Sequence, residues 1–354
     1  MATIDIFSPR TMLPMVTEST NRNITWLRDT FFTERRTFRT PTIEYDVVSR
    51  ESRKLAPFVN PKMAGGEIDR QGYRTKTFEA PEVSALMVTT AEDAFIRMPG
   101  EDLYSERDPM QRIAAQLGHD LARLDEVITR REEAMCAEAI LTGKIVVKGI
   151  GYNDEIDFWD DLGDVKPEDA AETKWDASGK DAKGIASDLR TFRANMIERG
   201  GFTPDRLLVG VEVLDVILSK LSDAGMLDNR RVDLGQINPT LFPDGVSYWG
   251  HLKDSNLDIY TYDNSYDDDD GESVPLIPAK AAVLCAKPQA MIAYGACSCI
   301  DQQNGLRIVS APRVPSSWIQ ERNPTGRVLQ LKSRPLPIIK QPYGFTVLDV
   351  MTSD

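Results

Sequence analysis

Between Asp108 and Gly143 the chain carries a single apolar stripe at helical spacing: Met110, Ile113, Leu117, Leu121, Leu124, Ile128, Met135 and Ala139. Asp108-Pro109 is a helix start, an acidic N-cap followed by proline at the first helical position, and Thr142-Gly143 supplies the stop. A helix from about 109 to 142 is roughly 50 Å long at 1.5 Å per residue, several times the usual length. A chain built around it must use it as a strut across a whole subunit.

The flanking segments are unlike ordinary domains. In the first forty residues Trp26, Leu27, Phe31 and Phe32 stand among Arg22, Arg28, Arg35, Arg36 and Arg39, too few apolar groups to close a core of their own. Either they bury against another surface or they form an element packed on their own domain, and both readings stand. From Thr42 to Arg97, TIEYDVV and TKTFEAPEVSALMV flank a polar centre with Gly65-Gly66 and Gly72. That pattern predicts a long hairpin, which its own subunit supports poorly and which should project.

Downstream, KIVVKG reads as a strand, and Asp154 to Glu172 is dense enough in acid to predict a solvated connection. A helix is expected from about Asp181 to Arg199, ended by Gly200-Gly201; RLLVGV reads as a strand, VEVLDVILSKLSDAG as a helix and Leu227 to Gly245 as a loop. SYWGHL, LDIYTY, KAAVLCA and AMIAYG read as strands. From Ile308 the prolines at 312, 315, 324, 335, 337 and 342 restrict the chain to edge strands and extended connections. No internal repeat is present, which excludes solenoids and propellers.

At 354 residues about two domains are expected. No run approaches 18 apolar residues, so no transmembrane helix is expected, and MATIDIFSPRTMLP lacks the basic end and apolar run of a secretory signal. Four irregularly placed cysteines, Cys136, Cys285, Cys297 and Cys299, suit a reducing cytoplasm. A net charge of −13 speaks against nucleic acid as a specific ligand.

The chemical motifs are thin. There is no GxxxxGK[ST], and Gly149-Ile150-Gly151 lacks the third glycine of a dinucleotide site. Cys297-Ser298-Cys299 has the wrong spacing for a zinc knuckle, and the acid run Asp267 to Glu272 does not place acids at the first and twelfth positions of a calcium loop. His119 and His251, the two histidines, lie outside any nucleophile motif. No catalytic, cofactor-binding or metal-binding residues are therefore expected.

The order of the pieces carries more information than any motif. FVNPKMAGGEIDRQGYRTKTFEAPEV, EDLYSERDPMQRIAAQLGHDLARLDEVITRREEAMCAEAILTGKIVV and, more loosely, RLLVGVEVLDVILSK and RIVSAPRVPSSWIQERNPTGRVLQLKSRPL resemble the major capsid proteins of tailed bacteriophages, specifically the lambda-type capsid protein E family. The resemblance implies an α+β chain with the Hong Kong 97-like capsid fold. It implies an N-arm over 1–40, an E-loop hairpin with flanking strands over 41–97, and a peripheral domain over 98–182 holding the spine helix. An axial domain would span 183–300, and 301–354 would return to the peripheral domain.

By the same resemblance, many copies assemble in the host cytoplasm as hexamers and pentamers of an icosahedral prohead. The shell encloses double-stranded DNA without binding it specifically, expands on maturation, and has no membrane. Scaffolding, portal and decoration proteins would be separate chains, and contacts between subunits noncovalent. An encapsulin-like compartment around protein cargo is the alternative; a cytoplasmic hydrolase using His119 or His251 is a more distant one.

Surfaces that one subunit cannot satisfy are what interlocking neighbours use. The expected contact residues are Trp26, Phe31 and Phe32 in the arm and Arg53, Lys54, Arg70, Arg74 and Lys76 in the hairpin, together with Arg50 and Lys62. The hairpin's positive charge would meet Asp157, Asp160 and Asp161 in the acidic connection of a neighbour.

Overall fold

The computed structural model describes residues 25–48, 55–56, 58, 60, 73–90, 92–93, 109–149, 151–158, 168–222, 227–228, 240–241, 245–268, 271–286, 290–301, 305–321 and 325–352. Among the described residues there are four α-helices: α1 (Trp26–Phe31), α2 (Pro109–Thr142), α3 (Ala182–Gly200) and α4 (Val211–Ile217). The chain divides into two compact units: residues 1–43, 79–137 and 291–338 form one, and 44–78, 138–290 and 339–354 the other.

The first unit is organised by α2, which begins at Pro109 and ends before Gly143 as the pattern predicts; Asp108 lies outside the described residues. Its Leu117, Leu121, Leu124 and Ile128 bury against an antiparallel sheet whose order is Val314–Gln320, Gly326–Ser333, Val83–Thr90. Period-two alternation sends Val83, Ala85 and Met87 to the helix, where Leu329 and Leu331 face Met87 and Ala85 across the strands. A second sheet places Ala290–Tyr294 between Glu34–Thr37 and Pro335–Ile339. The proline rule holds: Pro315 lies in one edge strand, Pro335 and Pro337 in another.

The run TKTFEAPEVSALMV is not one hairpin arm. Tyr73–Glu79 pairs with Thr42–Val48, whereas Val83–Thr90 leaves that pair and joins the sheet on α2. The break falls at Ala80-Pro81, where proline has no N–H to continue a ladder and Ala80 N donates to Pro41 O at 3.1 Å.

One buried arginine fastens this unit. Arg313 donates through Nε to Asp125 Oδ1 (2.5 Å), through Nη1 to Glu132 Oε1 (2.6 Å) and Ser333 Oγ (3.2 Å), and through Nη2 to Thr129 Oγ1 (3.0 Å). Asp125, Thr129 and Glu132 share one face of α2 at spacings of four and three. Burial works against the Arg313 charge, but Glu132 and then Asp125 outweigh it and hold the guanidinium pKa above its usual value.

The second unit holds an eight-stranded mixed sheet in the order Thr240–Leu241, Val246–Leu252, Leu257–Tyr262, Pro204–Val209, Ala282–Ala286, Phe345–Asp349, Glu168–Ala170, with Leu227–Asp228 also pairing on Val246–Leu252. Ile185, Leu189, Phe192 and Met196 of α3 and Val213, Leu214 and Ile217 of α4 share one core with Leu207, Val209, Ile259, Leu284 and Leu348. α3 is capped as its sequence predicts: Asp181 accepts from Gly184 N at 2.9 Å, and Gly201, at φ 79°, donates to Ile197 O at 2.9 Å. Gly210 at the start of α4 is obligatory, because a Cβ there would stand 2.2 Å from Pro278 O. The helix expected over VEVLDVILSKLSDAG is shorter than that run: α4 passes into a π-turn at Leu218–Ser222. There Lys220 Nζ donates to the carbonyls of Trp175, Ala177 and Lys180 at 2.6, 3.0 and 2.9 Å.

The acid-rich stretch is not simply a solvated connection. Tyr152–Asp157 forms a hairpin with Lys144–Gly149, and Glu168–Ala170 is a strand at the edge of the large sheet. Asp169 is buried there because Arg199 Nη2 (2.7 Å) and Asn195 Nδ2 (3.0 Å) meet its Oδ1. Among the described acids of this stretch Asp169 is the one held by side chains distant in the chain, whereas Asp154, Glu155, Glu168 and Glu172 are exposed as predicted.

Removing one partner from a buried ion pair leaves a charge without compensation, so Arg313→Ala should cost about 3–5 kcal/mol in denaturant unfolding. Arg313→Lys, which keeps the charge but loses the planar fork, should fall between. A loss within about 1 kcal/mol for Arg313→Ala would show the cluster to be no stronger than a surface bridge.

Candidate functional site

The site is mechanical rather than chemical: it is where the segment that leads into the chain is fastened to the strut. α1 is too short to hold itself together, and its N-cap Thr25 makes no capping hydrogen bond to the helix backbone. The buried carboxylate of Glu133 on α2 takes that role, its Oε1 accepting from Leu27 N at 2.8 Å and its Oε2 from Arg28 N at 3.0 Å. The neighbouring Glu132, also fully buried, gives Oε2 to Arg28 Nη1 at 3.1 Å and Oε1 to Arg313. One carboxylate is thus shared by two guanidinium groups from opposite ends of the chain.

Around this centre Asp29 accepts from Thr25 Oγ1 (2.7 Å), Arg28 Nε (3.2 Å) and Arg35 Nη2 (2.7 Å). Burial raises the Asp29 pKa, but the Thr25 hydrogen bond and the charges of Arg28 and Arg35 prevail and lower it. For Arg28, burial opposes the charge and Glu132 and Asp29 outweigh it, so its pKa is raised. Glu34–Thr37 then runs parallel to Met291–Tyr294, with Glu34 opposite Met291 and Thr37 opposite Tyr294.

The arm residues are therefore settled inside their own chain. Phe31 and Phe32, expected as contacts to a neighbour, have no exposed surface, and neither has Leu27. For Leu27, Phe31 and Phe32, of the two alternatives, packing within the chain is the one observed. Trp26 is half-buried and meets the Phe31 ring edge-on, centroids 5.7 Å apart.

Lys76 and Asp157 also differ from expectation. Lys76 is buried, donates from Nζ to Phe158 O at 3.2 Å and stands 5.8 Å from the centre of the Phe78 ring. Asp157 pairs with Lys144 Nζ at 2.9 Å in its own hairpin. Both charges thus have a partner within the chain, and Asp157 shares Lys144 with Glu155. Arg74 stands in the strand Tyr73–Glu79, while Arg50, Arg53, Lys54, Lys62, Arg70, Asp160 and Asp161 lie outside the described residues.

Sequence reading missed Glu132, Glu133, Arg28 and Arg313. A signal exists in hindsight: Asp125, Thr129, Glu132 and Cys136 form a second stripe beside the apolar one, and acids at such positions need buried partners.

Three cysteine thiols are pushed towards their protonated form. Burial, then Glu133 and Glu132, push the Cys136 thiol well above the usual range. Burial raises Cys285, and burial with Glu82 pushes Cys297 up to about 11. His251 Nδ1 lies 2.9 Å from Asp258 Oδ1 in a cross-strand pair, and His119 is exposed on α2. Among the described residues no group of three or more His, Cys, Asp or Glu side chains is arranged to hold a metal ion.

Comparison with known proteins gives the same architecture. The chain is 24% identical over 331 residues to the major capsid protein of Enterobacteria phage P21, covering 90% of this chain and 92% of that one. It is 24% identical over 307 residues to the major capsid protein of Enterobacteria phage phi80, covering 82% and 84%. Among solved structures, a prophage capsid protein from E. coli CFT073 superposes with a TM-score of 0.69 at 19% identity, covering 97% of this chain and 99% of that one. The model of the family described as phage major capsid protein E matches residues 8–348, and the chain, built on the Hong Kong 97-like capsid fold, belongs to that family.

Proposed function

We propose that this chain is the shell-forming subunit of a phage head, acting by self-assembly and without a catalytic step. The observation that carries the reading is the family match over residues 8–348 on a fold whose buried titratable groups are occupied in holding segments together. The first unit corresponds in this reading to the peripheral domain with its spine helix, and the large sheet of the second to the axial domain. Copies would tile as hexamers and pentamers around double-stranded DNA, with scaffolding, portal and decoration proteins as separate chains and assembly in the host cytoplasm.

Charge supports the container role. With 55 acidic against 42 basic residues, a wall of such subunits repels phosphate weakly, so DNA is enclosed without being held. The hairpin keeps its own positive charge at Arg50, Arg53, Lys54, Lys62, Arg70 and Arg74. Its expected acidic partners on a neighbour are Asp157, Asp160 and Asp161.

Electron microscopy of the purified protein should show closed shells, with genomic DNA inside particles recovered from infected cells. A persistent monomer, or shells filled with a protein cargo, would overturn the reading. Boiled, denatured shells should run as a single monomer band; ladders would reveal covalent joining. Reversing Arg70 and Arg74 to Glu should weaken assembly and flatten its dependence on salt, since the affected pairs are screened within about 10 Å at 0.1 M salt.

A further inference from the structure

α4 gives way to a π-turn at Leu218–Ser222, and such turns are rare and, where they occur, frequent at functional positions. The turn carries Lys220, whose ammonium is the point on which three main-chain carbonyls converge: Trp175 O at 2.6 Å, Ala177 O at 3.0 Å and Lys180 O at 2.9 Å. An ammonium has three donors, and all three are used. Among the described residues no carboxylate pairs with Lys220, so carbonyl dipoles are what faces its charge.

The carbonyls belong to residues 175–180, a stretch in neither helix nor strand. Its backbone makes two short turns, Ala177 N donating to Lys174 O at 3.2 Å and Lys180 N to Ala177 O at 3.1 Å. Ala177 O therefore accepts twice, from Lys180 N and from Lys220 Nζ. Carbonyl oxygens aimed at one point repel one another, and a positive charge at that point is what holds such a turn closed.

Several parts of the second unit hang on this stretch. Trp175 is fully buried in the core, its N donating to Val350 O at 2.7 Å and its Nε1 to Asp188 Oδ2 at 3.0 Å. Lys180 Nζ meets the same Asp188 oxygen at 2.7 Å, and Asp176 Oδ2 accepts from Thr352 N at 3.3 Å. Lys174 Nζ donates to Asp349 O at 3.0 Å. α3, the π-turn after α4 and the segment that follows the strand Phe345–Asp349 are thus joined through one turn, and the Lys220 ammonium sits at its centre.

We propose that the carbonyl oxygens of Trp175, Ala177 and Lys180 form a monovalent-cation site, that the Lys220 ammonium is its resident occupant, and that free ammonium ion takes its place when the side chain is shortened. Three neutral carbonyls without a carboxylate suit a single positive charge and not a divalent ion, which draws on carboxylate oxygens. A compact ammonium aims three donors at three carbonyls from one nitrogen, which the planar fork of arginine does not. Lys220 is a positioning residue: it holds the turn, and the turn holds Trp175, Val350 and Thr352. All of these residues belong to the second unit, so the site is independent of the shell-forming reading.

Hydrogen exchange and melting of the full-length chain test it. Lys220→Met keeps the apolar stem and removes the donors, and it should speed amide exchange in the peptide spanning 174–181 about tenfold or more, since hydrogen bonds to a charged group are lost. Exchange at the parent's rate overturns the proposal. In Lys220→Ala, ammonium chloride should raise the melting temperature above its value in tetramethylammonium chloride of equal ionic strength, because the latter ion has no N–H and is too large for the nest. The rise should follow binding: once ammonium exceeds its dissociation constant, each tenfold increase should multiply the folding equilibrium constant about tenfold. The parent, whose site is filled, gives the salt effect common to any protein, and the variant's response should exceed it. An equal response of parent and variant overturns the site. If Lys220→Ala is unfolded in tetramethylammonium chloride, recovery of its circular dichroism in ammonium chloride is the supporting result and failure to recover the overturning one.

Discussion

The first unit depends on a single expensive arrangement, the burial of the Glu132 carboxylate. An ionised group taken fully out of water costs several kcal/mol unless partners replace its hydration. Here the replacements are Arg28 at 3.1 Å and Arg313 at 2.6 Å, which lie 104 and 181 residues away along the chain. Neither α2 with the arm alone nor α2 with the sheet alone compensates the charge completely. Glu133 adds a second condition, because its partners are the N–H groups of Leu27 and Arg28, which converge only when α1 is helical. The two adjacent acids therefore require three separate stretches of chain to be in place together, which makes the unit cooperative.

That requirement explains why the chain is interleaved. Each unit is assembled from three stretches, and the partition cuts α2 between Ala137 and Glu138. Contacts of this kind close long loops before they are rewarded, so folding should be slower than in a protein of local hairpins. The strut is the exception. Its stripe and its glycine stop are local, so α2 can begin to form early and offer a template to segments that arrive later.

What was legible in the sequence follows the same division between local and distant. The ends of α2 and α3, the strand RLLVGV and the placing of Pro315, Pro335 and Pro337 in edge strands rest on neighbours within a few residues, and they are found where expected. The misread parts all depend on distant partners. Phe31 and Phe32 look unsupported among arginines, yet both are fully buried. Asp169 looks solvated until Arg199 and Asn195 reach it. TKTFEAPEVSALMV looks like one strand until Gly326–Ser333 claims its second half. Of the residues expected at contacts between subunits, Phe31, Phe32, Lys76 and Asp157 spend their interactions inside the chain, and the anchor that matters, Glu132 with Arg28 and Arg313, was hidden as two acids on a helix.

The burial of the arm's aromatics changes how assembly can work. A segment that had to fold against a neighbour would bring its ordering entropy to every contact it made. Residues 25–37 are instead already fixed, through Glu133 at the helix start and a parallel strand pairing at its end. A subunit so prepared meets its neighbours with that cost already met, and binding free energy goes into joining rather than ordering. Among the described residues the exposed large apolar side chains lie elsewhere, Leu86, Ile308 and Ile319 among them. Weak contacts repeated around a closed ring can still give a stable assembly, and their individual weakness lets wrongly placed subunits leave before the ring closes.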